Sequence, residues 1–247
     1  MKVKKIDFQT VYRHKDIAFI SQLDKIRNAV ISYPELDAFN QNHLSNETKG
    51  DSIVLTPDNA LANSINENRL DKIQKPKYTY KGIAAGKFDK KNPPAPMVLM
   101  LKQGAQVMFI KNDKDKRWCN GTLGIIHKLG SNNIIVRVGS YEYDVNKERW
   151  ETFHYEYKPE SKTLLEIIDG YYEQYPLKLA WAMTIHKSQG KTFDQVVLNI
   201  GNGAFEFGQV YVALSRCRTP QGLRFETPLS MQDIRKDERI DSYLNHF

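Results

Sequence analysis

Residues 177–218 read LKLAWAMTIHKSQGKTFDQVVLNIGNGAFEFGQVYVALSRCR, and this stretch decides the fold. The turn TIHKSQGKTFD, from Thr184 to Asp194, follows an apolar run. FDQVVLNI, with VVL at its centre, then reads as a buried-type strand. GQVYVALSRC reads as a helix with Val210, Ala213, Leu214 and Cys217 on one side. Strand, turn, strand and helix in succession make an α/β pattern. Two clusters, Thr184–Asp194 and Gly208–Arg218, place cations, hydroxyls and backbone N–H groups at the ends of hydrophobic elements, which suits phosphate.

The same pattern lies upstream. SIVLT is a short β-branched strand that feeds the helical ALANSINENRL. Thr56 is expected to cap that helix and Pro57 to occupy its first position, where a missing N–H costs nothing. In residues 8–31, Ile17, Ile20, Leu23, Ile26 and Val30 recur at helical steps, with Asp16 as N-cap and Tyr33-Pro34 as the stop. Residues 71–102 lose the helical period and contain KGIAAGKFDKKNPPAPM, which reads as a loop or crossing connection.

From Gly104 the pattern is all-β: AQVMFIKND, NGTLGIIHKLG, NNIIVRVG and SYEYDVNKERWETFHYEYK, with turns at Asn120-Gly121 and Ser131-Asn132. Such spacing suggests a small barrel. LLEIIDGYYEQYPLKLAWAMT then resumes the α/β pattern as two extended stretches, and Ile240, Tyr243, Leu244 and Phe247 form a terminal helical stripe. The expected organisation is an α/β domain with a parallel sheet, residues 1–103 and 161–247, split by a β insertion at 104–160.

Composition agrees with a globular chain. Forty per cent of residues are apolar and 11% aromatic, and a chain of 247 residues buries roughly 70–75% of its unfolded surface without disulfide or metal support. The net charge of +7 permits a polyanionic partner. Cys119 and Cys217 have no zinc spacing and suit a reducing compartment. The first residues, MKVKKIDFQTVYRHKD, lack the apolar core of a signal peptide, and no run reaches membrane-spanning length. A cytoplasmic protein with no membrane partner is the expectation.

Gly190-Lys191-Thr192 invites a P-loop reading. A P-loop needs GxxxxGK[ST], and the position five before Gly190 is Ile185. No other GK[ST] occurs, and no apolar run ends in a paired Asp-Glu. The nucleotide cradle and the usual magnesium carboxylate are therefore not written in this sequence.

Taken together, the quoted segments resemble a known family. LAWAMTIHKSQGKTFDQVVLNI and FGQVYVALSRCRTPQGL resemble motifs V and VI of superfamily 1 DNA helicases of the 5′→3′ branch, the RecD-like and Pif-like enzymes. VYRHKDIAFISQLDKIRNA resembles the motif IV region, IVLTPDNALANSINENRL the DNA-contact motif that follows, and LKQGAQVMFIKND with WCNGTLGIIHKL an inserted SH3-like barrel. The resemblance covers about residues 8–246, with four motifs in order. It implies a second RecA-like domain, with helices on both faces of a parallel sheet. The P-loop, in such enzymes, belongs to a first RecA-like domain, and ATP binds between the two. The expectation is a chain that binds no ATP or Mg2+ alone, needs that P-loop domain as a partner, and acts on single-stranded DNA.

Roles carry over residue by residue. The resemblance implies that Arg216 and Arg13 reach the ATP γ-phosphate, where a planar cation neutralises the transferring group, worth roughly 10³–10⁵ in rate. It gives His14, where the family has Gln, no role, and it leaves Arg218 unassigned. Gln189 and Gly190 match residues that couple nucleotide to the DNA track. Thr192 stands where relatives of opposite polarity carry an acid, so no ribose contact is assigned. Thr184, His186, Lys187 and Ser188 match a turn that grips DNA phosphates, and Thr56, Pro57 and Asn59 match its counterpart. Trp118, Trp150, Tyr141 and Tyr143 in the barrel are read mainly as core, with base stacking the lesser alternative. His127 and His154 have no ligand spacing. Two other functions stay open: a stand-alone single-strand-binding module, and a protein-interaction domain.

Overall fold

The structure is a computed structural model that describes residues 14–45, 52–89 and 91–240. In chain order the elements are α1 (Ile17–Arg27), α2 (Tyr33–His43), β1 (Ile53–Thr56) and α3 (Asn59–Lys72). Ten strands follow: β2 (Lys77–Lys81), β3 (Ile83–Gly86), β4 (Val98–Lys102), β5 (Gln106–Phe109), β6 (Leu123–Leu129), β7 (Ile134–Val138), β8 (Tyr141–Val145), β9 (Glu148–Lys158), β10 (Thr163–Gln174) and β11 (Leu177–Leu179). The chain ends with β12 (Ala182–Thr184), β13 (Val196–Leu198), α4 (Gln209–Leu214) and β14 (Leu223–Phe225). Two compact units result, one from residues 1–65 and 181–247, the other from 66–180.

The first unit is α/β, as the sequence implies. Its sheet is parallel throughout, in the order β12-β1-β13-β14. The IVLT of β1, the AMT of β12 and the VVL of β13 are buried at every position, which is why these strands carry continuous apolar runs. Val54, Ala182 and Val197 meet Ala62 and Ile65 of α3 on one face. Elsewhere Phe39 and His43 of α2 pack on Phe225. Burial lowers the His43 pKa from 6.5, although its Nδ1 sits 3.2 Å from the Leu223 carbonyl.

The helices show where reading by period falls short. Asp16 caps α1, its carboxylate accepting the Phe19 N–H at 3.0 Å. The buried face is Phe19, Leu23 and Ile26, whereas Ile17 is 83% exposed and Val30 68% exposed. Ile17 is the first helical residue and Val30 lies past the C-cap at Asn28, so neither can reach what the middle of the helix packs against, α4. Tyr33-Pro34 is not a stop but the start of α2, because Pro is accommodated in a first turn. The Glu35 carboxylate accepts from both the backbone N–H and the hydroxyl of Ser32, the residue before the helix.

The second unit is β-rich and wider than the 104–160 segment expected. Residues 71–102 are not a loop throughout: β2 and β4 form an antiparallel pair and β3 pairs with β10. β11-β5-β6-β7-β8 make an antiparallel sheet. β10 does not resume the α/β pattern. It pairs along its length with β9, turning through Lys162 at φ 55, and this arm leaves Phe153, Tyr155 and Tyr157 exposed. Trp118 is core: it stacks on Phe109 at 4.3 Å with the Arg117 guanidinium over its ring at 4.5 Å. Trp150 lies under the Lys111 ammonium at 5.1 Å, while Tyr141, stacked on Tyr143 at 6.3 Å, is exposed.

Candidate functional site

The carboxyl ends of neighbouring parallel strands are the usual ligand crevice of an open α/β sheet. Here β1 ends at Thr56 and β12 at Thr184, and the two threonines are paired across the ladder. The turns that follow are the two to which the sequence resemblance assigns DNA contacts. The Ile185 N–H donates to the Thr56 carbonyl at 2.8 Å. The Lys187 ammonium reaches across to Asn59 Oδ1 at 2.8 Å. Thr56, Pro57, Asn59, Thr184, His186, Lys187 and Ser188 thus gather at one edge of one sheet.

Within that edge the side chains divide into two kinds. Thr56 is fully buried, and its hydroxyl donates to the Asp58 carbonyl at 2.9 Å. It does not cap α3, because its hydroxyl is spent in the turn. Asp58 caps instead, accepting the Leu61 N–H at 2.9 Å, and buried Pro57 precedes the helix rather than opening it. The Thr184 hydroxyl accepts the Lys187 N–H at 3.3 Å within the short 3-10 turn His186–Ser188, and buried Ser188 donates to the Ile185 carbonyl. Asn59, His186 and Lys187 are exposed. His186 Nε2 stands 3.5 Å from the Glu206 carboxylate.

Gly190 has φ +78, and a Cβ there would meet nothing within 4 Å. Its glycine is required by the left-handed backbone, not by any close neighbour in this chain. Gln189 beside it is exposed. The following residues lie against Arg216. Phe193 bridges Cys217 in parallel fashion, the Phe193 N–H donating to the Arg216 carbonyl and the Arg218 N–H to the Phe193 carbonyl, each at 2.9 Å. α4 ends at Leu214, so Arg216 sits beyond the helix, not on it. Its guanidinium is folded inward at 9% exposure. Nε donates to the Val212 carbonyl at 3.0 Å, Nη2 to the Ser215 hydroxyl at 2.8 Å and Nη1 to the Lys191 carbonyl at 3.4 Å.

Arg13 lies outside the described residues. The adjacent His14 is buried, with Nδ1 3.3 Å from the Arg218 carbonyl and its ring edge-on to Phe19. Arg218 is exposed and pairs with Asp194 at 3.3 Å. Burial lowers the pKa of the Lys191 ammonium and pushes the Cys217 thiol up to about 11. Among the described residues no group of three or more His, Cys, Asp or Glu is placed to hold a metal ion. None of the described helices is long and apolar enough to cross a membrane.

Sequence reasoning missed Asp58, although an Asp before a helix is a standard cap signal. It also missed Gln209. This buried side chain accepts the N–H groups of Phe205 at 3.1 Å and Glu206 at 3.5 Å, and donates to the Pro57 carbonyl at 3.5 Å. No local signal marks a contact between residues so far apart in sequence.

Comparison with known proteins gives a consistent result. A family model described as a helicase (herpes type) matches residues 166–246, and the model for DNA helicase Pif1, 2B domain, matches residues 90–129. The ATP-dependent DNA helicase Pif1 of Bdellovibrio bacteriovorus is 32% identical over 227 residues, 87% of this chain and 49% of that protein. The human ATP-dependent DNA helicase PIF1 is 34% identical over 236 residues, 89% of this chain and 34% of that protein. Unliganded Pif1 from Bacteroides sp superposes with a TM-score of 0.82 at 31% identity, covering 96% of this chain and 55% of that one. A Bacteroides Pif1 structure in complex with ADP-AlF3 and ssDNA gives 0.74 at 32% identity, covering 96% and 55%. The chain thus spans about half the length of the bacterial relatives named here. By motif order, sequence and fold, it is similar to the C-terminal region of the Pif1-like superfamily 1 helicases.

Proposed function

We propose that the chain is the second, RecA-like motor domain of an ATP-dependent DNA helicase moving 5′→3′ on single-stranded DNA. The strands between residues 104 and 160 are read as an SH3-like barrel inserted into it. The observation that carries the reading is the convergence of the two turns, Thr56–Asn59 and Thr184–Ser188, on one sheet edge through the Lys187–Asn59 hydrogen bond. Backbone N–H groups, Asn59, His186 and Lys187 there bind phosphate oxygens, which carry no sequence information, so the grip suits movement along any sequence.

Arg216 supplies the nucleotide side. Its guanidinium turns to the γ-phosphate of ATP held on a P-loop domain, exchanging its Lys191 carbonyl contact, the longest of its three hydrogen bonds described above, for phosphate oxygens. Arg13 is assigned the same ligand. Gln189 and Gly190 connect the two sides, because they join the phosphate-gripping turn to Lys191 directly. ATP is the substrate, and its Mg2+ is assigned to residues outside this chain.

The purified chain is expected to hydrolyse no ATP. Mixed with or fused to the P-loop domain of a relative, it is expected to restore DNA-stimulated turnover, which Arg216→Ala lowers by about 10³-fold or more. ATP turnover by the chain alone that disappears in Arg216→Ala overturns the reading.

A further inference from the structure

The loop between β13 and α4 carries two phenylalanines, Phe205 and Phe207, each 53% exposed. Apolar rings left open to water on an otherwise fixed backbone call for a ligand with an apolar face. The backbone here is fixed from several sides. Gln209 Oε1 accepts the Phe205 N–H at 3.1 Å, and the Arg235 guanidinium donates to the Phe205 carbonyl at 2.8 Å. The Ala204 N–H donates to Asp233 at 3.0 Å, and the Gly208 N–H to the Arg235 carbonyl at 2.8 Å. Arg235 also lies over the Phe207 ring, 5.3 Å from its centroid.

The loop borders the phosphate-gripping edge. Glu206, between the two rings, places its carboxylate 3.5 Å from His186 Nε2, and Gln209 ties the base of the loop to the Pro57 carbonyl. We propose that Phe205 and Phe207 form a base-stacking platform for single-stranded DNA, set beside the turns that hold its phosphates. The inference rests on the reading that this edge takes single-stranded DNA. Every base offers a π-face, so a platform of this kind adds affinity without adding sequence preference. Glu206 sharpens the division: its negative charge turns phosphates away from the aromatic side and toward Lys187 and Asn59. Arg235 contributes a cation beside the ring, where a base can stack in turn.

The test is a fluorescence anisotropy titration of the chain with labelled oligo(dT) and with an abasic strand of equal length, which has the same phosphates and no bases. The wild-type chain is expected to favour oligo(dT) by at least about tenfold. Phe205→Ala with Phe207→Ala removes that preference, weakening oligo(dT) to the abasic level and leaving the salt slope unchanged. Phe205→Trp with Phe207→Trp retains it. Equal wild-type affinity for the two strands overturns the platform while leaving the phosphate grip intact, and needs no variant to fold. A preference that survives both alanine substitutions also overturns it. Failure of the wild-type chain to bind oligo(dT) overturns the underlying reading and the platform with it.

Discussion

Two regions of the α/β unit handle their cations in opposite ways. At the edge formed by residues 56–59 and 184–188, the hydroxyls are buried and consumed by their own turns, while Lys187, His186 and Asn59 face outward. At the corner formed by Lys191–Asp194 and Arg216–Arg218, the central cation is folded in and donates to acceptors of its own chain, among them the Val212 and Lys191 carbonyls and the Ser215 hydroxyl. The first region presents Lys187, His186 and Asn59 to solvent. The second keeps its guanidinium folded against its own chain. The difference matches the proposed division of labour, in which a track is gripped throughout but ATP is met only when a second domain closes.

Substitutions can break either region separately. The largest effect on stability is expected at Gly222, which supports the arginine corner. A Cβ there would stand 1.9 Å from the Asp194 carbonyl oxygen and 3.0 Å from Cys217 Sγ. Gly222→Ala is expected to cost about 3 kcal/mol, read as a fall of roughly 6–12 °C in thermal melting for a chain of this size. An unchanged melting temperature would mean that the corner is looser than described. The gripping edge has a smaller structural liability: Asp58→Ala removes the cap of α3 and should cost about 1 kcal/mol in denaturant unfolding, whereas Thr56→Ser keeps the hydroxyl and the turn.

A third expectation concerns pH. His43 has a folded-state pKa below 6.5, from burial, with Arg224 adding to the shift. The unfolded chain therefore takes up a proton near pH 6.5 that the folded chain refuses. Stability is fully present above pH 6.5 and declines as pH falls through the folded value. Thermal melts between pH 8 and 5 should show this slope, and His43→Gln should flatten it. The smallest expected signal is chemical. The folded protein should be alkylated at exposed Cys119 and spared at buried Cys217, whose thiol is pushed up to about 11. Mass mapping of labelled peptides reads this directly.

Much of the parallel sheet was legible in the sequence, because strands buried on both faces, such as IVLT and VVL, carry the apolar runs Ile53–Leu55 and Val196–Leu198 and are bounded by turn residues. The residues proposed to grip DNA were legible as a motif, and the structure supplies what the motif could not: which side chains already bond within their own turns. Thr56 and Thr184 look equivalent in sequence and are paired in the sheet, yet one donates its hydroxyl to the Asp58 carbonyl and the other accepts the Lys187 N–H. The misreadings have physical causes. The face of α1 was set by tertiary packing, not by the best apolar period, which left Ile17 in solvent. The start of α2 was hidden because Tyr33-Pro34 serves equally as a stop or a beginning, although Ser32 and Glu35 carried the deciding signal. β10 was placed with the wrong unit because a strand in a long antiparallel arm looks locally like any other strand.

The division of labour is tested most directly by titrating labelled oligo(dT) against the wild-type chain, Lys187→Ala and Arg216→Ala at several salt concentrations. The account predicts that Lys187→Ala weakens binding about tenfold and reduces the salt slope by about 0.7, the loss of one phosphate contact on a single strand, while Arg216→Ala binds as the wild type does. An unchanged Lys187→Ala, or an Arg216→Ala that loses as much affinity as Lys187→Ala, would contradict it.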